Sequence, residues 1–182
     1  MTRWIFFWTS MALLAGCAVP GPRTTTIGQD KLQTLLAARF PYNGKIGPLF
    51  KLQAQAPQLR LLPAQNRLGT EIQVQVTERL THAVFNGVLN VDYGVRFEPS
   101  DQTLRMVNVH INAFSLSGVP ERFQAAVQGM APQLAERLMD GTKLHQISAK
   151  DMAVVDGWGY APGNIDVTAA GLRITLNPKN SP

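Results

Sequence analysis

The stretch FNGVLNVDYGVRF, residues 85–97, decides the fold of this 182-residue chain. Apolar residues occupy every second position from Leu89 to Phe97, and most positions between them are polar or charged. A period of two is typical of a β-strand with one face in the core and one face in water. At about 3.3 Å per residue the segment would span roughly 43 Å, whereas common strands have about five or six residues. We therefore predict an unusually long antiparallel strand.

A second long strand is predicted directly after it, in TLRMVNVHINAFSLSG (103–118). The apolar residues that alternate with polar ones in this segment are Val107, Val109, Ile111 and Ala113. Shorter alternating segments at 49–62 and 70–80 precede the two long strands, and a hairpin over 163–178 follows them. The pattern indicates a meander of antiparallel strands with one apolar face, which must be covered by another layer.

Two amphipathic helices are predicted to supply that cover. The main one lies in VPERFQAAVQGMAPQLAERLMDG (119–141), where apolar residues recur at spacings of three and four. The stripe consists of Phe123, Val127, Met130, Leu134 and Leu138. A short helix is predicted over Gln29–Arg39. The predicted fold is α+β, with a long curved antiparallel sheet wrapped around the main helix and a short N-terminal helix in front.

The amino terminus has the features of a secretory signal. Arg3 is followed by an apolar run over 4–14, which is too short for the roughly 20 residues of a transmembrane helix. The segment Leu14-Ala15-Gly16-Cys17 resembles the bacterial lipobox, in which the cysteine thiol receives a diacylglyceryl group and the chain is cut before the cysteine. The alternative is a plain secretory signal with a chance cysteine.

The lipobox defines three expected segments. Residues 1–16 are a lipoprotein signal peptide, residues 17–26 a tether lipidated at Cys17, and residues 27–178 a single domain. The residue after the cysteine is Ala18 and not an aspartate. By resemblance to Gram-negative lipoproteins, this favours sorting to the outer membrane. The expected location is the cell envelope, lipid-anchored and facing the periplasm.

Composition and residue spacing argue against several other classes of protein. The formal net charge of +5 is scattered without a basic cluster, so nucleic acid is a poor candidate partner. Cys17 is the only cysteine, which leaves no disulfide and no cysteine metal site in the domain. His82, His110 and His145 lack the spacing of a metal site, and no serine lies in a GxSxG setting. Asp151 and Asp156 are more simply solvated than paired for catalysis. We expect no enzyme, no metal and no cofactor.

The chain resembles the YceB-like envelope lipoproteins, a family of unknown function. The resemblance lies in the segment 41–76, in the long strands, in PERFQAAVQGMAPQLAERL (120–138) and in GNIDVTAAGLRITL (163–176). That family is similar to the tubular lipid-binding superfamily, which includes bactericidal permeability-increasing protein. The resemblance implies binding of a lipid or another hydrophobic ligand, and it carries no catalytic residues.

A ligand space, if the core is incompletely filled, would lie between the main helix and the sheet. The residues expected to line it are Phe123, Val127, Met130, Leu134, Leu138, Leu89, Val91, Tyr93, Val95, Val109 and Ile111. The same side chains would face inward in a fully packed core, so both interpretations stay open. A second hypothesis is a non-catalytic accessory lipoprotein that contacts another envelope protein.

One aromatic pair stands apart from this pattern. Trp158 and Tyr160 lie in the glycine-rich segment DGWGYAPG (156–163). Aromatic residues in such a segment fit a membrane interface or a pocket mouth. We favour the simpler interpretation, in which both residues close one end of the core.

Overall fold

The computed structural model describes residues 21–179. The predicted signal peptide and Cys17 lie outside the described residues. The elements in chain order are β1 (Arg23–Gly28), α1 (Gln29–Ala37), β2 (Tyr42–Ile46), β3 (Phe50–Ala54), β4 (Gln58–Leu62), a 3-10 turn (Pro63–Gln65), β5 (Arg67–Glu78), β6 (Val84–Glu98), β7 (Thr103–Leu116), α2 (Glu121–Met139), β8 (Lys143–Gln146), α3 (Ala149–Gly157), β9 (Tyr160–Thr168) and β10 (Gly171–Pro178). None of the helices in this part of the chain is both long and apolar enough to cross a bilayer.

The strands form two antiparallel sheets. The larger sheet has the order β2-β3-β5-β6-β7-β8, and β4 pairs with the free end of β5 beside β3. It is strongly curled, as a half-barrel. The smaller sheet has the order β1-β10-β9. The α+β class and the curved antiparallel sheet are therefore confirmed.

The two long strands are β6 and β7, with 15 and 14 residues. Their pairing contains two register shifts, one between Asn90 and Val91 and one between Asp92 and Gly94. At the first shift, Ala113 pairs with Asn90 and Ile111 with Val91, so Asn112 is an extra residue. Strict alternation through Ile111 and Ala113 is consequently wrong: Ile111 is buried and Ala113 is exposed.

The core lies between the two sheets. Leu68, Val91 and Tyr93 of the larger sheet are almost completely buried, and they belong to one cluster with Val167 and Leu172 of the smaller sheet. Each fully buried aliphatic side chain of this kind contributes about 1.5–3 kcal/mol. The smaller sheet thus covers much of the apolar face, a role that the sequence had assigned to the main helix.

Helix α1 completes that cover. Leu32 is buried in the same cluster. The Gln33 side chain donates to the Pro57 carbonyl at 2.7 Å and accepts from the Leu59 N–H at 2.8 Å. The helix is therefore fixed to the start of β4 by a two-point contact.

Helix α2 lies along β7, at the side of the sheet. A sheet wrapped around this helix is not confirmed. The half-buried positions of α2 include Val127, Ala131, Ala135 and Met139, which are spaced by four residues and form one face. The large apolar residues Phe123, Met130, Leu134 and Leu138 of the same helix are exposed. The apolar face of the sheet is already covered by β9, β10 and α1, so α2 is not required inside the curl.

The expected tether also differs from the structure at its end. Residues 23–26 belong to β1, which pairs with β10 from Arg23 opposite Leu176 to Gly28 opposite Gly171. Three consecutive threonines, Thr24–Thr26, suit an edge strand of this kind. The ordered domain thus includes four residues that were assigned to the tether.

Candidate ligand-binding groove

Beyond the cover of the smaller sheet, the concave face of the larger sheet continues as an open groove. Its floor includes a cross-strand row in which Ala54 pairs with Val74, Val74 with Gly87, and Gly87 with Leu116. The row crosses four neighbouring strands, and two of its members are small. Short side chains in a curled sheet leave unfilled space above them.

The first half of helix α2 forms one wall of the groove. Gln124, Val127 and Gln128 line it from the helix, and Phe114 lines it from β7. Pro41 and Asn43 lie at the β2 end. The groove has a volume of about 920 Å³, within the range of roughly 300–1,000 Å³ that is common for small-molecule sites.

The lining is uncharged. Gln124 and Gln128 border the groove from α2 with amide side chains. Gln53, Gln75 and Asn86 also border it, but they pair with one another one position away from the floor row, so their side chains point to the opposite face of the sheet. No aspartate, glutamate, lysine or arginine of the described residues lines the groove. An amide side chain both donates and accepts hydrogen bonds, so the α2 side of the groove suits a neutral polar group beside the apolar floor.

Gly87 shapes the floor. A Cβ atom at this position would collide with the backbone carbonyl of Ser115 on β7. Glycine therefore permits the close approach of β6 and β7, and it removes a side chain from the centre of the cross-strand row.

The edge of β7 beside α2 is closed by side chains of the helix. The Ile111 N–H donates to Oε1 of Glu136 at 2.8 Å, and the Val109 N–H donates to Oδ1 of Asp140 at 3.4 Å. His110 Nδ1 lies 3.2 Å from the same Glu136 oxygen. These contacts hold the second half of α2 against the strand and thereby position its first half as the groove wall.

Of the predicted ligand-contacting residues, Val127 lines the groove. Val91, Tyr93 and Ile111 are buried in the main core, and Leu89, Val95 and Val109 pack against it. Phe123, Met130, Leu134 and Leu138 of α2 are exposed and do not line the groove. The lining residues that the sequence did not single out include Ala54, Val74, Gly87, Phe114 and Leu116. Gly87 was the available signal, because a glycine within a strand face often marks a close backbone approach.

Tyr93 shows that the centre of the larger sheet belongs to the hydrophobic core and not to the groove. Its phenol is buried and hydrogen-bonds with Thr70, and the burial raises the pKa of Tyr93 far above its ordinary value. The group therefore stays neutral at every physiological pH. Such a fully enclosed, satisfied hydroxyl stabilises the core.

The acidic and histidine candidates are dispersed. Asp151 accepts from the Ser148 hydroxyl at 2.6 Å at the start of α3, and Asp156 forms a salt bridge with Lys179. Within residues 21–179, no group of three His, Cys, Asp or Glu side chains is arranged for a metal ion.

The aromatic pair divides between two environments. Tyr160 is buried in a small cluster with Ile174 and Leu176, as the core interpretation predicts. Trp158 is 61% exposed. The two residues therefore do not act together as a plug.

Comparison with known proteins adds little to this picture. No protein-family profile matches the chain, and no curated protein matches it. A crystal structure of lipopolysaccharide binding protein aligns with 86% of this chain at 10% sequence identity and a TM-score of 0.33. The alignment covers 39% of that protein, so this chain spans well under two thirds of its length. A similarity at this level does not transfer a ligand, and membership of the YceB-like family stays a prediction.

Proposed function

We propose that this protein is a lipid-anchored lipoprotein of the bacterial cell envelope that binds a lipid or another hydrophobic ligand between α2 and the larger sheet. The observation that carries the proposal is the groove of about 920 Å³ above the row Ala54–Val74–Gly87–Leu116. An apolar strand face left open to water at this size favours occupation by an apolar ligand.

The lining defines the ligand further. Val74, Phe114 and Leu116 offer contacts for a hydrocarbon portion. The amides of Gln124 and Gln128 on α2 offer partners for an ester, amide or hydroxyl group. A binding role without catalysis fits this chemistry, because neutral amides are neither nucleophiles nor general bases.

The anchoring part of the proposal is supported by sequence. Cys17 ends the lipobox-like segment, and β1 begins six residues later at Arg23. Replacement by Cys17→Ala should move the protein from the membrane fraction to the soluble fraction, and mass spectrometry should show the loss of acyl groups. Unchanged membrane attachment of the variant would contradict the lipid anchor.

The groove is tested with a matched pair of variants on α2. Val127→Glu places a carboxylate in the groove, and Leu134→Glu places one at a half-exposed position of the same helix that does not line the groove. Burying an unpaired charge costs several kcal/mol, so Val127→Glu should weaken the binding of the neutral dye Nile red by about tenfold or more. Leu134→Glu should leave binding within about twofold. Equal binding by both variants and the unchanged protein would overturn the groove as the site.

The natural ligand is sought directly by mass spectrometry of organic extracts from the purified protein. A lipid that copurifies with the unchanged protein and with Leu134→Glu, but not with Val127→Glu, would support the proposal. An extract without any such compound, together with unchanged dye binding, would contradict it.

A second candidate function is favoured by exposed apolar residues of α2. Phe123, Met130, Leu134 and Leu138 form an exposed apolar stripe on this helix, and such patches often mark protein interfaces. In this alternative the chain is an accessory lipoprotein that contacts another envelope protein. A photo-crosslinker at Met130 should then capture one defined protein in cells, and Leu134→Glu should abolish the product while leaving Nile red binding unchanged.

A further inference from the structure

Trp158 is a large aromatic residue in an exposed position at the end of helix α3. It caps the C-terminus of α3. One turn earlier, Val154 is 43% exposed, and Lys150 lies one turn before that, so the three share one side of the helix. Val155 on the other side packs against the cluster of Tyr160, which fixes the orientation of α3.

The chain enters the domain next to this position. The Tyr160 hydroxyl donates to the Gly21 carbonyl at 3.1 Å, and the Arg23 guanidinium lies 5.2 Å from the centre of the Tyr160 ring. Gly21 is therefore tied to a residue that is two positions from Trp158. Both contacts join the first described residues to the start of β9, directly after α3.

Covalent geometry limits how far Cys17 can lie from that point. Gly21 is the fourth residue after Cys17, and consecutive Cα atoms are 3.8 Å apart, so the two Cα atoms are at most about 15 Å apart. This distance is about half the thickness of the hydrocarbon core of a bilayer. A lipid attached at Cys17 would thus bring this end of the smaller sheet to the membrane surface.

We propose that Val154 and Trp158 form a membrane-contacting patch that inserts into the interfacial region of the bilayer holding the Cys17 lipid. The inference rests on the proposed anchoring at Cys17. The tryptophan ring combines a large apolar area with one N–H donor, the combination that is enriched at bilayer interfaces. Lys150 and Arg23 add cationic groups that reach lipid phosphates while their aliphatic portions stay in the apolar layer.

With this patch in contact with the bilayer, the domain has a defined orientation relative to the membrane. A lipid on a short linker alone would allow the domain to tumble within the reach of that linker. A second contact beside the first restricts the rotation of the domain relative to the membrane, since two attachment points act at high effective concentration. The tether length is what favours a membrane over a protein partner as the occupant of this surface.

The test uses the full-length protein, expressed with its signal and reconstituted into vesicles of phosphatidylethanolamine and phosphatidylglycerol. Cleavage before Cys17 removes Trp4 and Trp8, so Trp158 is the only tryptophan of the anchored protein, and the spectrum of Trp158→Phe is subtracted as the background. In vesicles with brominated acyl chains, the Trp158 emission should be blue-shifted and should lose intensity. Water-like, unquenched emission would overturn the proposal, as would a blue shift without bromine quenching, which would indicate a protein contact.

A matched control places the probe elsewhere. Leu80 is 76% exposed in the turn between β5 and β6 of the larger sheet. A Trp158→Phe, Leu80→Trp chain should show no bromine quenching at residue 80, and quenching equal to that of Trp158 would argue against a defined patch.

Anchoring is read separately, by fractionation of the protein with and without Cys17→Ala. If the unchanged protein proves soluble, the proposed anchoring fails, and the same quenching measurement with added vesicles decides the patch. Quenching of Trp158 would then support it and absence of quenching would overturn it.

Discussion

The Ile111 N–H on β7 donates to Oε1 of Glu136 on α2 at 2.8 Å, so a carboxylate occupies the place of a neighbouring strand. The Val109 N–H makes the equivalent contact with Asp140. Residues two apart on a strand and four apart on a helix have similar separations, about 6–7 Å and about 6 Å. The helix can therefore follow the strand edge with two carboxylates in register, and the edge is protected from pairing with other chains.

Removing the first of these carboxylates should destabilise the domain. Glu136→Ala leaves the half-buried Ile111 N–H without its acceptor, which should lower the free energy of unfolding by about 1–3 kcal/mol. Urea denaturation measures the loss, and amide hydrogen exchange at Ile111 should accelerate. Glu121→Ala, in the exposed first turn of the same helix, should change stability by no more than about 0.5 kcal/mol. Equal effects of both variants would refute the edge-capping role.

Gln33 should contribute through two backbone groups at once. Gln33→Ala removes the donor to the Pro57 carbonyl and the acceptor of the Leu59 N–H. The expected loss is about 1–3 kcal/mol, because both groups are partly buried beside the core. Gln33→Glu keeps the acceptor but turns a carboxylate oxygen against the Pro57 carbonyl, so its loss should be no smaller than that of Gln33→Ala. Calorimetric unfolding of the two variants gives the comparison, and a harmless Gln33→Ala would contradict it.

Asp101 should make stability depend on pH. A hydrogen-bonded ion pair with Lys143 at 2.7 Å, a bond from the Thr103 hydroxyl and a salt bridge with Arg105 hold the pKa of Asp101 well below its ordinary value. The folded state therefore favours the charged form, so its stabilisation is complete above the ordinary aspartate pKa of about 4 and is lost as the pH falls below that value.

The measurement is the thermal midpoint of Asp101→Asn and of the unchanged protein across this range. The difference should be largest at neutral pH and should shrink below a pH of about 4. Glu71→Gln serves as control, since Glu71 forms no salt bridge within the described part of the chain. A difference that grows on acidification would show that the sign is wrong.

Two glycines should respond in opposite directions to replacement by alanine. Gly87→Ala forces a Cβ against the Ser115 carbonyl, which should cost about 1–3 kcal/mol. Gly129→Ala in α2 meets open space and should stabilise the helix by up to about 1 kcal/mol. Chemical denaturation of the two variants tests the pair, and a neutral Gly87→Ala would show that β6 and β7 can separate at this point.

The sequence predicted the long strands and the two main helices because their periodicity is local. Alternation over 85–97 and apolar spacing over 119–141 each report one element. The extra residue Asn112 escapes such a pattern, since a bulge changes the face of every residue after it without a clear change in composition. Helix α3 was missed although Ser148 and Asp151 provide its N-cap contact, a pattern that sequence can show.

The covering layer could not be predicted, because it depends on pairing between distant segments. Strand β1 pairs with β10, and Arg23 lies opposite Leu176. Once that small sheet covers the core, α2 is free to lie at the sheet edge. In α2, the row of residues through Leu134 and the row through Ala135 both have helical spacing. Only the three-dimensional arrangement shows that the row through Ala135 is the one that packs against the sheet.

The neutral lining of the groove limits how any ligand can lie in it. A phosphate or carboxylate that moved inside would give up its hydration without finding a counter-ion among the residues that the structure describes there. An ionised amphiphile would consequently lie with its hydrocarbon end on the floor near Gly87 and its head at the opening, in water. The strength of such an association would change little between dilute and concentrated salt, because no ion pair takes part in it.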